Sequence, residues 1–194
     1  MISTFTAVID ANVFFGARLR SLVLFLAQTK MFRARWSEEI NDEWVRNVHQ
    51  KQGIPLDKLE RLRGLVNSTV LDCLVTGYDT LTAAFKLPDP ADGHVLAAAV
   101  KTRADVIVTF NLKHFPDEVL NPLGIEAKHP DEFLLDLFGI SPEAFVEAVQ
   151  QDFLHYKAPP LTFEQYVTAL KAAGVPHCAR QIHDLRVLIE SPDR

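Results

Sequence analysis

Three carboxylates occupy positions where packing alone would place an apolar residue. Asp10 ends the run TFTAVID, two residues before Asn12 in VIDANVFF. Asp92 follows the Pro-punctuated turn LPDPAD and shares a helical stripe with Val95, Leu96 and Ala99 at i, i+3, i+4 and i+7, which turns it inward. Glu43 borders a second stripe, Ile40, Trp44 and Val48, whereas Glu38, Glu39 and Asp42 fall toward solvent. Each has a plainer explanation when taken singly: turn chemistry for Asp10, N-terminal capping for Asp92, an exposed salt bridge for Glu43. Together they make a stronger case. Like charges brought close raise one another's pKa and cannot all ionise without a counter-cation. Their immediate motifs contain no Lys or Arg, and the donors are all oxygen, a set that suits Mg²⁺ or Mn²⁺ completed by waters. Such an ion can activate a water and stabilise charge on a phosphodiester. Asn12, Thr109 and Asn111 lie at strand ends as supporting groups, and Asp89, between Pro88 and Pro90, reads as a turn residue with a supporting role.

For these residues to meet, the chain must bring several strand ends together. Thr4 to Asp10 reads as a strand, Arg18 to Thr29 as a helix, and Met31 to Trp36 as a second strand. Ser37 is a good N-cap, with Glu38 and Glu39 in the first turn of a helix running to about Lys51. Pro55 opens a helix to about Val66, followed by a strand at Val70 to Val75 and a short helix near Thr80 to Phe85. Asp92 to Arg103 is helical, and ADVIVT at 104 to 109 is the β-branched run of a strand covered on both faces. Gly124 to Lys128 is a last short strand. This alternation predicts an α/β fold, a three-layer α/β/α sandwich around a parallel sheet, in which ligands bind beyond the strands' carboxyl ends. Asp10 and Asn111 lie at two such ends.

Beyond Pro130 the character is helical, with helices at 131 to 138, 141 to 156, 162 to 173 and 176 to 190 and a break at Ala158-Pro159-Pro160. The expected division is residues 1–129, the α/β domain, and 130–194, a helical extension that packs on the sheet or offers a surface to a partner.

The chain has 194 residues, 48% of them hydrophobic, enough to bury a full core. Its apolar runs are too short for a membrane span, and its start lacks a basic segment followed by an apolar one, so the expectation is a cytoplasmic protein without targeting sequence. Cys73 and Cys178 have neither disulfide nor zinc spacing. A net charge of −5 argues against coating nucleic acid by bulk attraction, yet ten of the Lys and Arg residues from Arg18 to Arg63 crowd the first third. That segment is either a set of solvated helix faces or a polyanion-binding face. His94 and His114 have no partner at metal-ligand spacing and read as ordinary surface or core histidines.

The order VIDANVFF, SEEINDEW, DPADGHVLAAAVKTRADVIVTFN and LKHFP resembles a PIN-domain ribonuclease of the VapC-like toxin type, over about residues 4 to 128. The resemblance implies that Asp10, Glu43 and Asp92 bind Mg²⁺ or Mn²⁺ and cleave RNA, with Asn12 and Thr109 in support. A fourth position, often Asp in that family, is Asn111 here; a carboxamide brings an oxygen but no charge. The resemblance also implies an RNA substrate such as a tRNA, a cognate antitoxin that occludes the site, and a homodimer with a continuous RNA groove. It does not extend to the helical tail. Two other readings stand beside it. One is a non-catalytic PIN-like binding module whose weakened site Asn111 marks. The other is a haloacid-dehalogenase-like phosphatase suggested by Asp-x-Asn-Val, which lacks that family's second acid.

Overall fold

A computed structural model describes residues 5–157 and 159–190. Thr4, the expected start of the first strand, and Ala158 in the expected break lie outside the described residues. The first half runs β1 (Thr6–Ile9), α1 (Ala11–Phe15), α2 (Ala17–Gln28), β2 (Arg33–Ser37), α3 (Glu38–Gln52), α4 (Leu56–Thr69) and β3 (Leu74–Val75). Next come α5 (Gly93–Thr102), β4 (Val106–Val108), α6 (Asp117–Leu120) and β5 (Glu126–Lys128). The chain continues through α7 (Pro130–Ile140), α8 (Pro142–His155), α9 (Phe163–Ala172), α10 (Pro176–Asp184) and α11 (Arg186–Glu190).

The five strands form one parallel sheet in the order β3-β2-β1-β4-β5, flanked by helices as expected. Strand β1 is central because it is apolar on both faces: Ala7, Val8 and Ile9 are fully buried. The connections leave β1 toward β2 on one side and return to β4 on the other. The carboxyl ends of β1 and β4 therefore flank the point where the strand order reverses, and a crevice forms there.

Several expected boundaries shift for local reasons. The strand expected over 70 to 75 is only Leu74–Val75, because Asp72 adopts a left-handed backbone (φ 56°) that turns the chain. The short helix expected near 80 to 85 reduces to a 3₁₀ turn at Asp79–Leu81. The last expected helix divides at Leu185 into α10 and α11. Ser37 does cap α3, its hydroxyl accepting from the Ile40 N–H at 3.2 Å.

The C-terminal helices share the core of the sheet domain. Phe133 of α7 stacks on Phe5 with centroids 6.2 Å apart and meets Phe32 edge-on at 5.1 Å. Asp152 of α8, fully buried, accepts hydrogen bonds from Ser21 of α2 and from the Tyr166 hydroxyl of α9 at 2.7 Å. Cys73 and Cys178 are buried free thiols. Three of the basic residues of the first third have partners within the fold: Arg20 is buried and donates to the Phe14 carbonyl, Arg18 lies 3.9 Å over the Tyr156 ring, and Arg63 pairs with Glu38 and Asp42.

Candidate metal centre

Asp10 is the residue on which the crevice is built. It follows β1 directly and caps α1, its Oδ1 accepting from the Ala11 N–H at 2.6 Å. Its Oδ2 accepts from Asn12 Nδ2 at 2.6 Å and from Thr109 Oγ1 at 2.6 Å. Thr109 in turn accepts from Asn12 Nδ2 and from the Asn111 N–H, both at 3.0 Å, while the Asn12 side-chain oxygen accepts from the Phe110 N–H at 3.1 Å. Asn12 and Thr109 thus lock the ends of β1 and β4 together and fix the Asp10 carboxylate. This network reaches the C-terminal helices. Gly174, with φ +91°, closes α9 against Phe110, and a Cβ there would stand 2.9 Å from the Phe110 ring.

Asp92 sits at the N-cap position of α5 but makes no side-chain cap hydrogen bond. Capping is therefore not what places it. Asp89 does the capping instead, its Oδ1 accepting from the Ala91 N–H at 2.9 Å. The Asp92 Oδ2 lies 2.7 Å from His114 Nδ1, and Asp89 Oδ2 lies 4.0 Å from the same nitrogen. Gly93 allows the chain to enter α5 here, since a Cβ would meet the Thr82 carbonyl oxygen at 2.7 Å.

Glu43 reaches the crevice from α3, whose rotation is set by a buried amide network. Asn41 donates to Asn67 Oδ1 at 3.1 Å and accepts from Trp44 Nε1 at 3.0 Å, and Asn67 Oδ1 also accepts from Trp36 Nε1 at 2.8 Å. The neighbouring acids Glu38 and Asp42 are engaged by Arg63 of α4. Glu43 remains half-buried, 3.7 Å from His94 Nε2. Glu43, Asp89, Asp92, His94, Asn111 and His114 line a cavity of about 430 Å³, with Arg46 at its edge.

The electrostatics of this end are those of crowded acids. Burial is the main reason the Asp10 pKa rises from 3.8 to about 6; the Thr109 hydrogen bond opposes the rise, and the nearby charges of Glu43 and Asp92 add to it. Burial also raises Glu43 and Asp92, partly offset by His94 for the first and His114 for the second. Asp152, remote from the crevice, is likewise raised to about 6 by burial against its two hydroxyl donors. A carboxylate whose folded pKa exceeds its unfolded value adds stability below pH 3.8 that is lost as pH rises through about 6. Thermal melts in chelator are therefore expected to give a lower Tm at pH 8 than at pH 5.5. Asp152→Asn should flatten that slope; an unchanged slope would show that Asp152 does not carry its share.

All the acids singled out in the sequence reach this end of the sheet, directly or one layer behind it. Glu43, Asp92 and Asn111 line the cavity, and Asp10 is buried within electrostatic reach of Glu43 and Asp92. Asp89 is more than a turn residue: with Asp92 and His114 it forms a group whose ligand atoms lie within 4.8 Å of one another. The cavity is also lined by His114 and His94, which the sequence presents as ordinary histidines, and by Arg46, to which it assigns no role at the site. His114 meets an acid 22 positions away, a pairing made by the meeting of the β4 end with the start of α5 and carried by no local spacing. His94, two residues after Asp92, and Arg46, three after Glu43, were within reach of the same spacing argument.

Comparison with known proteins finds two matching family models and a relative. A model of the PIN domain matches residues 6–113, and a model of the VapC50 C-terminal domain matches residues 130–184. Among curated proteins, one named "Putative ribonuclease VapC50", from Mycobacterium tuberculosis, is 48% identical over 94 residues, 48% of this chain and 55% of the relative. The chain thus spans about half the length of that relative. No solved structure matches it.

Proposed function

Because this chain belongs to the PIN-domain family, we propose that it is a metal-dependent endoribonuclease that hydrolyses RNA phosphodiester bonds as the toxin of a toxin–antitoxin pair. The observation that carries this reading is the convergence of Asp10, Glu43 and Asp92 at one sheet end, where each carboxyl resists ionising without a counter-cation. These three hold Mg²⁺ or Mn²⁺, which when bound supplies an activated water and charge stabilisation for the phosphodiester. Asn12 and Thr109 keep the Asp10 carboxylate aimed, Asp89 supports the turn that presents Asp92, and Asn111 offers its amide at the cavity rim. Arg46 adds a cation at the mouth that attracts the RNA backbone and makes binding weaken with salt.

The partners follow from the same reading: an RNA such as a tRNA, an antitoxin that occludes the crevice, and a second copy of the chain completing an RNA groove. No helix among the described residues is long and apolar enough to cross a membrane, and we place the activity in the cytoplasm. The expected result is cleavage of a tRNA by the purified protein with Mn²⁺, stopped by EDTA and absent in Asp92→Asn. Divalent-ion binding without cleavage of any RNA would instead favour a non-catalytic PIN-like module, the reading that Asn111 supports.

A further inference from the structure

Building on the metal-dependent reading above, we propose that His114 is a direct metal ligand through Nδ1, completing with Asp89 and Asp92 a nitrogen–oxygen site that prefers a first-row transition ion to Mg²⁺. Three features of these residues support it. First, the two spacings from His114 suit one octahedral ion. Ligands bonded at about 2.1 Å stand roughly 3.0 Å apart when adjacent and roughly 4.2 Å apart when opposite. His114 Nδ1 is 2.7 Å from Asp92 Oδ2 and 4.0 Å from Asp89 Oδ2. Second, the atoms concerned are left over from structural duties. Asp89 caps with Oδ1 and leaves Oδ2 toward the histidine, and Asp92 occupies an N-cap position without capping.

The third feature is independent of that triad. His94 is 9% exposed, and its Nδ1 donates to the Ala91 carbonyl at 2.7 Å, so Nε2 is the ring nitrogen left to face the cavity. That Nε2 is buried, has no hydrogen-bond partner, and faces the Glu43 carboxylate at 3.7 Å in the same cavity. A buried ring nitrogen left without a hydrogen-bond partner beside a carboxylate is costly. A cation in the cavity relieves both sides at once. A metal ligand at His114 Nδ1 would have to be free of hydrogen there, so binding would leave the ring hydrogen on Nε2. A site of carboxylates and water alone suits Mg²⁺, whereas an imidazole ligand moves the preference toward Mn²⁺, Co²⁺, Ni²⁺ or Zn²⁺.

The test is pulsed electron paramagnetic resonance on the full chain loaded with Mn²⁺, read for a directly coordinated ¹⁴N, together with calorimetric titration by Mg²⁺ and Ni²⁺. The wild-type protein should show the nitrogen coupling and bind Ni²⁺ at least about a hundredfold more tightly than Mg²⁺. His114→Ala should lose the coupling and about tenfold or more of the Ni²⁺ affinity, while His94→Gln keeps the coupling. Bound Mn²⁺ without ¹⁴N coupling in the wild type overturns the inference, needs no variant, and leaves the ribonuclease reading intact. Coupling that survives in His114→Ala overturns it as well. Failure to bind any divalent ion removes the ribonuclease reading beneath it.

Discussion

Asp10→Asn is expected to reduce metal-dependent RNA cleavage on the order of 10³-fold, since losing a ligand forfeits several kcal/mol of charge stabilisation. The same substitution should make the chelated protein more heat-stable at pH 8. Burial holds the Asp10 pKa near 6, against 3.8 for an ordinary carboxyl, so keeping it ionised in the folded state costs about 3 kcal/mol above pH 6. An amide removes that cost and keeps the side chain's volume. It also loses an acceptor: with its oxygen on Thr109 and Asn12, its NH₂ group faces the Ala11 N–H, a penalty of about 1 kcal/mol. The balance is a gain of about 1–2 kcal/mol, or roughly 2–8 °C in Tm for a chain of this size. As pH falls through 6 toward 4 the wild-type carboxyl takes up its proton, the difference closes, and the wild type becomes the more stable. Full cleavage by Asp10→Asn would remove Asp10 from the metal site. A lower Tm than wild type at pH 8 in chelator would mean that the buried charge is not the destabilising element argued here.

That opposition between charge and burial is why these acids stand out in the sequence. An acid on an apolar strand end or on the inward face of a helix breaks the local pattern, and Asp10, Glu43 and Asp92 were found by that breach. Residues that obey their local pattern left no such mark. His94 lies among buried alanines and valines of α5, and His114 sits in a 3₁₀ turn after β4; only the fold brings His94 to Glu43 of α3 and His114 to Asp92. The parallel sheet was legible because β1 and β4 are β-branched or apolar on both faces. Strand β3 was overestimated because an Asp in a left-handed turn looks, in sequence, like any polar break. The packing of the helical tail was the least visible part. Its anchors are side chains such as Phe133 and Asp152, whose partners at Phe5, Phe32 and Ser21 lie more than a hundred residues earlier.

Asp131→Ala is expected to destabilise the protein by about 3 kcal/mol, lowering Tm by roughly 6–12 °C. By sequence it is a first-turn acid of α7, and a helix dipole alone would account for it. Its carboxylate is only 3% exposed, however, and serves a different helix: Oδ2 accepts from the His177 N–H at 2.9 Å and Oδ1 from the Cys178 N–H at 2.7 Å. Helix α10 needs this, because its N-cap, Val175, has no side-chain acceptor and Pro176 supplies no N–H. Each bond is charge-assisted and aimed at the positive end of a helix, worth about 1.5–3 kcal/mol, and alanine leaves the buried Cys178 N–H without a partner and the His177 N–H to solvent. The effect should reach the proposed metal site in a weaker form. Helix α10 packs on α9, whose closing residue Gly174 presses on Phe110, and the Phe110 N–H holds the Asn12 amide that orients Asp10. Cleavage by the folded variant should therefore fall by less than about tenfold, far short of the Asp10→Asn loss, because a loosened support shifts a ligand without removing it. Urea melts at pH 7 separate the two effects. A loss below about 1 kcal/mol would show that water or backbone takes over the cap and that α10 is held by its apolar face alone.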